Sequence, residues 1–291
     1  MLSYRHSFHA GNHGDVLKHI CQLLLINKLK DKDKGFVYMD THSGAGLYNL
    51  DSEQANKTNE YQQGIALLAD YQGDEPTILA YQVLCADYLK QDIYPGSPEI
   101  ARKLMRDQDK LALMELHNEE IHNLKNNMLK GNKRNSNVAV HHRDGYEGLI
   151  AMTPPNPARG MVLIDPSYEV AGEYQQVVDT LIKAYKRWAS GIYAIWYPLL
   201  AKREDGQHGG TKAGLSEIML DTLAKQDFKN LLQIELCVEG KQQGGMYGTG
   251  MAIINAPWQL DEQIAQCLAE LTPLLAKSEQ ANYSLRWLIK D

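Results

Sequence analysis

The chain has 291 residues, 44% hydrophobic and 23% charged, with 30 basic against 36 acidic side chains and a formal net charge of −6. This composition describes an ordinary globular chain with a sizeable core, and excludes a disordered, collagen-like or broadly basic nucleic-acid-coating protein. The four cysteines, Cys21, Cys85, Cys237 and Cys267, show no CxxC spacing, which fits a reducing compartment.

The N-terminus MLSYRHSFHAGNHGD lacks a long apolar run, and no segment approaches 18 uninterrupted apolar residues. Neither a signal peptide nor a membrane-spanning helix is expected, so the location expected is cytoplasmic. Two stretches are free of acids despite the negative total. Met1 to Gly14 carries Arg5, His6, His9 and His13, and Ile121 to Arg143 carries Lys125, Lys130, Lys133, Arg134 and Arg143. Both are candidate local basic surface.

Val16–Leu29 reads as a largely apolar helix, and Lys18 and His19 on it require polar partners because burial without them is unfavourable. Strands are expected at Phe36–Asp40, Leu111–Leu116, Val138–His142, Met161–Asp165 and Ile192–Tyr197. Tyr174–Trp188 alternates with them as an amphipathic helix. Leu231–Val238 and Met251–Asn255 flank a glycine-rich connection, GKQQGGMYGTG, and the terminal YSLRWLI is a candidate edge strand. This alternation predicts α/β layering around a mostly parallel sheet.

The strand ends are polar. The first closes in DTHSGAG, whose Gly44 and Gly46 form a GxG turn but lack a third glycine, Asn standing at position 49. The second ends at Glu115, where a dinucleotide-type fold places the acid that receives ribose hydroxyls. That acid usually lies ~20 residues beyond the glycine turn, whereas here it comes 75 positions after Asp40, so a helical segment at about 49–93 is read as an insertion. The third strand ends in Asp144 and Gly145, and the fourth in IDPSY, Ile164 to Tyr168. Ligands of open α/β sheets bind at such carboxyl ends. Together the four ends describe a nucleoside-bearing cofactor across strands one to three, with the acting residue on strand four.

Asp-Pro-x-Tyr after the fourth strand resembles the [DNS]PP[YFW] motif of class I S-adenosylmethionine-dependent methyltransferases that act on exocyclic amines. SYRHSFHAGNHGDVLKH, DTHSGAG, YPGSP, MELH, RDG and GIYAIWYP resemble, almost end to end, the bacterial RlmJ family of 23S ribosomal RNA adenine-N6 methyltransferases. The resemblance implies an α/β, Rossmann-like class I methyltransferase fold: a seven-stranded, mostly parallel sheet in a single domain over 1–291, with a small inserted helical subdomain at about 49–93. It further implies S-adenosylmethionine as cofactor, bound by Lys18, His19, His42, Ser97, Glu115, Asp144, Gly145 and Asp165. RNA would be contacted by Tyr4, with Arg5 and His6 beside it. Asp165, Pro166 and Tyr168 would form the catalytic motif. The partner implied is 23S ribosomal RNA, naked or in an assembly intermediate, with no membrane and a monomeric enzyme. The chain departs from the family's DPPY at Ser167.

The chemistry fits these residue types. Adenine N6 is a poor nucleophile because its lone pair is delocalised into the ring. A carboxylate and the Pro166 carbonyl, each accepting one N6 hydrogen, would hold that lone pair toward a methyl donor, so positioning does most of the work. Tyr168 could stack on a base that has been flipped out or is single-stranded. His6, His9 and His13 are not expected to bind metal, since Gly11 and Gly14 break helical spacing and no carboxylate or cysteine is expected to join them. No metal is required. Two other functions stay open: a catalytically weakened RNA-binding or ribosome-assembly factor, suggested by Ser167, and a nicotinamide-dependent oxidoreductase, disfavoured by the truncated glycine pattern.

Overall fold

The computed structural model describes residues 5–129, 137–201, 212–241 and 245–290. After a 3-10 turn at His6–Phe8, α1 (His13–Lys30) leads into β1 (Val37–Asp40). The chain continues through β2 (Leu47–Asn49), α2 (Glu53–Thr58), α3 (Ile65–Ala69), α4 (Pro76–Leu89), β3 (Ile93–Pro95) and α5 (Ser97–Leu104). It then alternates β4 (Lys110–Glu115), α6 (Asn118–Leu129), β5 (Val138–His142), α7 (Gly145–Met152), β6 (Gly160–Ile164), α8 (Gly172–Arg187) and β7 (Ile192–Ala201). The last elements are α9 (Leu215–Leu223), β8 (Leu231–Cys237), β9 (Gly245–Ile254), α10 (Leu260–Leu275) and β10 (Asn282–Ile289).

Eight strands form one sheet in the order β10-β8-β9-β7-β6-β1-β4-β5, one strand more than the expected seven, because the C-terminal segment pairs along β8. The sheet is mixed: β7, β6, β1, β4 and β5 run parallel, whereas β9, β8 and β10 join antiparallel. The central parallel strands β1, β4 and β6 are buried on both faces and alternate between two cores, whereas the edge strand β5 is only partly covered. Tyr38, Leu111, Leu113, Met161 and Leu163 face the core beneath α1, whereas Met39, Met114, Val162 and Ile164 face the one covered by α7, α8 and α9.

The chain leaves β1 for β4 on one side and later returns to β6 on the other, so the topological switch point lies between β1 and β6. Register places every polar strand end on that rim. Asp40 is level with Leu113 of β4 and Leu163 of β6, so Glu115 and Asp165 each sit two residues further along.

Two expectations change. The glycine-rich connection is largely strand: β9 begins at Gly245, and β7 extends to Ala201 to pair with it. Gly250 belongs there because a Cβ at that position would fall 2.2 Å from the Tyr197 ring, a close approach of strand and side chain. The segment between β1 and β4 is indeed helical and is closed by the antiparallel pair β2–β3. It has no core of its own, however: Ile65, Leu68, Ile78, Tyr81 and Cys85 join the core around α1.

Helix α1 is central. Asn12 caps it by accepting the Asp15 N–H at 3.0 Å, and Lys28 and Lys30 in its last turn complement the helix dipole. Fifteen of its eighteen residues are buried, Lys18 and His19 among them. No helix among the described residues is long and apolar enough to cross a membrane.

Candidate active site

A cavity of about 720 Å³ opens at the carboxyl ends of β1, β4, β5 and β6, under the start of α1. His6, Lys18, His19, His42, Ser97, Glu115, Asp144, Gly145, Asp165, Pro166 and Tyr168 all line it. Of the residues singled out from sequence, Tyr4 lies outside the described residues, and Arg5 is turned away into an ion pair with Glu119 of α6. Exposed pairs of that kind contribute little, so Arg5 is releasable at small cost.

The cofactor side is built from strand ends. Gly44 and Gly46 take positive φ values of 57° and 76°, a turn open to glycine at little cost. The turn brings the Gly44 N–H within 2.8 Å of Glu115, which also accepts the His117 N–H at 2.7 Å. Burial pushes the Glu115 carboxyl up and these two N–H donors partly restrain it. Two bonds leave a carboxylate with further acceptor sites. Asp144 caps α7, its Oδ1 accepting the N–H groups of Tyr146 and Glu147 at 2.8 and 3.0 Å and its Oδ2 taking no part in either bond. His42 packs edge-on to Tyr146 at 5.0 Å, and burial lowers its pKa to about 4, so it is neutral at physiological pH. Ser97 donates to Asp40 at 2.7 Å.

The acceptor side is a chain of charges. Lys18 Nζ donates to Asp165 Oδ2 at 2.5 Å and to Asp15 Oδ1 at 2.6 Å. Asp15 Oδ2 in turn meets His6 Nε2 and the Gly11 N–H, each at 2.8 Å. Burial works against both charges, but the two carboxylates hold the Lys18 ammonium above the ordinary lysine range. His6 and Lys18 likewise hold Asp15 well below the ordinary carboxylate range. Sequence reading missed Asp15; its signal was the i,i+3 spacing from Lys18. His19 Nδ1 meets the hydroxyls of Tyr94 at 2.8 Å and Tyr81 at 3.2 Å, both from the segment between β1 and β4, while its buried Nε2 has no partner among the described residues.

Tyr168 departs from expectation. Its ring is 1% exposed, packs at 4.3 Å from Tyr174, and its hydroxyl donates to the Trp196 carbonyl at 2.9 Å. With φ at 51°, the backbone turns the ring into the core beneath the motif, so it anchors the loop and offers no open stacking face. Lys212, also unanticipated, donates to the Tyr168 carbonyl at 2.9 Å. Ser167 Oγ lies 3.5 Å from Glu173.

Residues 33–289 match the family described as Ribosomal RNA large subunit methyltransferase D, RlmJ. The whole chain aligns with two proteins named Ribosomal RNA large subunit methyltransferase J, with all of both chains covered. Identity is 41% over 296 residues for the one from Escherichia coli K12 and 40% over 297 for the one from Haemophilus influenzae. The chain belongs to the RlmJ family. A crystal structure of a Legionella pneumophila protein shares the fold at a TM-score of 0.83 and 33% identity, covering 96% of this chain and 98% of that one.

RlmJ membership makes the protein an S-adenosylmethionine-dependent ribosomal RNA methyltransferase, and the donor set lining the cavity fits that cofactor. Glu115 retains acceptor sites for a ribose diol, Asp144 an unused oxygen, and His42 a neutral ring against Tyr146.

Proposed function

We propose that this protein transfers a methyl group to the exocyclic N6 of an adenosine in 23S ribosomal RNA, acting as a cytoplasmic monomer. The observation that carries the reading is the Lys18–Asp165 contact. It ties up one oxygen of a carboxylate at the switch point and leaves the other free to accept. The RNA substrate class is supported by the names of the two full-length relatives.

S-adenosylmethionine would supply, when bound, a sulfonium methyl open to attack by an amine lone pair, the S–C bond breaking to release a neutral thioether. Glu115 and Asp144 would hold the nucleoside part of that donor, with Ser97, Gly145 and His42 beside them. Asp165 Oδ1 and the Pro166 carbonyl would each accept one N6 hydrogen, turning the lone pair out of conjugation and toward the methyl. Lys18 fixes the Asp165 carboxylate before the base arrives, so little reorganisation remains for the reaction itself. As the new N–C bond forms, N6 sheds one proton, and Asp165 is the group placed to take it. A base inside a duplex cannot reach this rim, so the substrate must be unpaired or flipped. His6 lines the cavity where RNA would pass, and Arg5, releasable from its exposed pair with Glu119, and Tyr4 precede it in the chain.

Mapping N6-methyladenosine in ribosomal RNA from cells with and without the gene tests this reading. One adenosine of 23S RNA should lose its methyl group without the gene and regain it on complementation. An unchanged map, with purified protein that binds S-adenosylmethionine but turns nothing over, would favour the RNA-binding factor.

A further inference from the structure

One lobe of the cavity is used by none of these roles. It lies at the first turn of α1, where Asn12, His13, Trp196, Met246 and Lys277 line the wall. His13 is only 5% exposed, and its Nε2 has no hydrogen-bond partner among the described residues. A buried ring nitrogen without a partner is unfavourable, and native proteins rarely leave one without a reason. Asn12 is spent on the Asp15 N–H and on Glu60, and Glu60 is held by His9 at 2.8 Å as well, so neither supplies the missing partner. Burial, with Lys277 nearby, lowers the His13 pKa to about 4, despite the opposing influence of Glu60 and Asp15; its ring is therefore neutral.

Trp196 gives the lobe an aromatic wall. Its Nε1 is fixed to Thr249 Oγ1 at 2.7 Å, and both its ring and Met246 come within 3.4 Å of where a Cβ on Gly14 would stand. Lys277 is exposed at the mouth. Ile195 of β7 is level with Ile164 of β6, so Trp196 stands beside the strand end that carries Asp165, and the lobe adjoins the carboxylate.

We propose that this lobe seats the target nucleotide of the RNA, with Trp196 as the aromatic wall, His13 as the positioning residue that hydrogen-bonds the nucleoside, and Lys277 meeting its phosphate. This rests on the proposed methyltransferase reading. It assigns the stacking role to Trp196 in place of the buried Tyr168.

The test is steady-state methylation of a 23S RNA transcript, with S-adenosylmethionine affinity measured by calorimetry. Variants are His13→Ala, His13→Gln and Lys277→Ala. His13→Ala should raise KM for RNA at least tenfold while cofactor affinity stays within twofold, and His13→Gln, which restores a hydrogen-bonding group, should recover most of the loss. Lys277→Ala should raise the RNA KM severalfold and lower the salt dependence of binding by about one phosphate contact. The proposal is overturned by an unchanged RNA KM in His13→Ala and Lys277→Ala, or by cofactor affinity falling in parallel. A wild-type protein inactive on every RNA would instead overturn the underlying reading, and this inference with it.

Discussion

Asp40 and Asp165 stand at the ends of neighbouring parallel strands on the two sides of the switch point, yet they are held in opposite ways. Asp40 is fully buried and receives only neutral donors: Tyr38 at 3.0 Å, Ser97 at 2.7 Å and the His42 N–H at 3.2 Å. Burial, with Asp165 nearby, raises its pKa to about 6 despite those bonds. Asp165 keeps 14% of its side chain exposed and is held by an ammonium group. The difference teaches that a carboxylate enclosed by neutral donors pins the backbone, whereas one fixed on a single oxygen by a cation keeps its other oxygen for a substrate.

The largest effect that would sharpen this contrast is on turnover. Asp165→Ala should reduce methyl transfer by at least about a hundredfold by removing a preorganised acceptor. Rapid-quench measurement of methyl incorporation checks this, and a loss under tenfold would place the acceptor elsewhere.

Next comes stability. Lys18→Met leaves Asp15, with 1% of its side chain exposed, without its ammonium partner and should cost about 3–5 kcal/mol in urea unfolding at neutral pH. The deficit should shrink as the pH falls toward the ordinary aspartate range of ~3.9, where protonation relieves the buried charge. A deficit independent of pH would mean that lost packing, not charge, is responsible.

Asp40 should behave with the opposite sign to an ordinary paired aspartate. Its folded pKa is raised from 3.8 to about 6, so its contribution to stability is complete below the unfolded value and is lost as the pH rises through about 6. Relative to Asp40→Asn, the wild type should therefore lose on the order of 3 kcal/mol between about pH 4 and about pH 8. Parallel stability curves for the two proteins would show that Asp40 is ionised at no unusual cost.

The smallest effect concerns the motif's departure from its family. Ser167→Pro restrains Pro166 ψ but adds no acceptor, so the rate should change by no more than about tenfold, the entropy of one dihedral being on the order of 1 kcal/mol. The Tyr168 anchor to Trp196 and the Lys212 bond to the Tyr168 carbonyl already hold the loop. Activity that appears only after the substitution would show that those contacts do not suffice.

Much of the site was legible in the sequence because local chemistry was enough to mark it. Polar groups ending apolar runs identified Glu115, Asp144 and Asp165 as rim residues, and the GxG turn took the positive φ values it implied. Lys18 and His19, polar on an apolar helix, were correctly read as needing partners. The partners themselves came from elsewhere: Asp165 lies 147 positions from Lys18, and Tyr94 lies 75 from His19. Only packing brings such pairs together. Tertiary structure also decided what the residues could do. It turned the Tyr168 ring into the core, drew a glycine-rich stretch into β9 against Tyr197, and left His13 with a buried nitrogen facing no partner among the described residues. The sequence by itself determined which groups end the strands, because apolar periodicity and turn chemistry act over a few residues. Which of those groups remain free to meet a ligand was decided by the fold, because hydrogen-bond satisfaction and burial are set by neighbours distant in the chain.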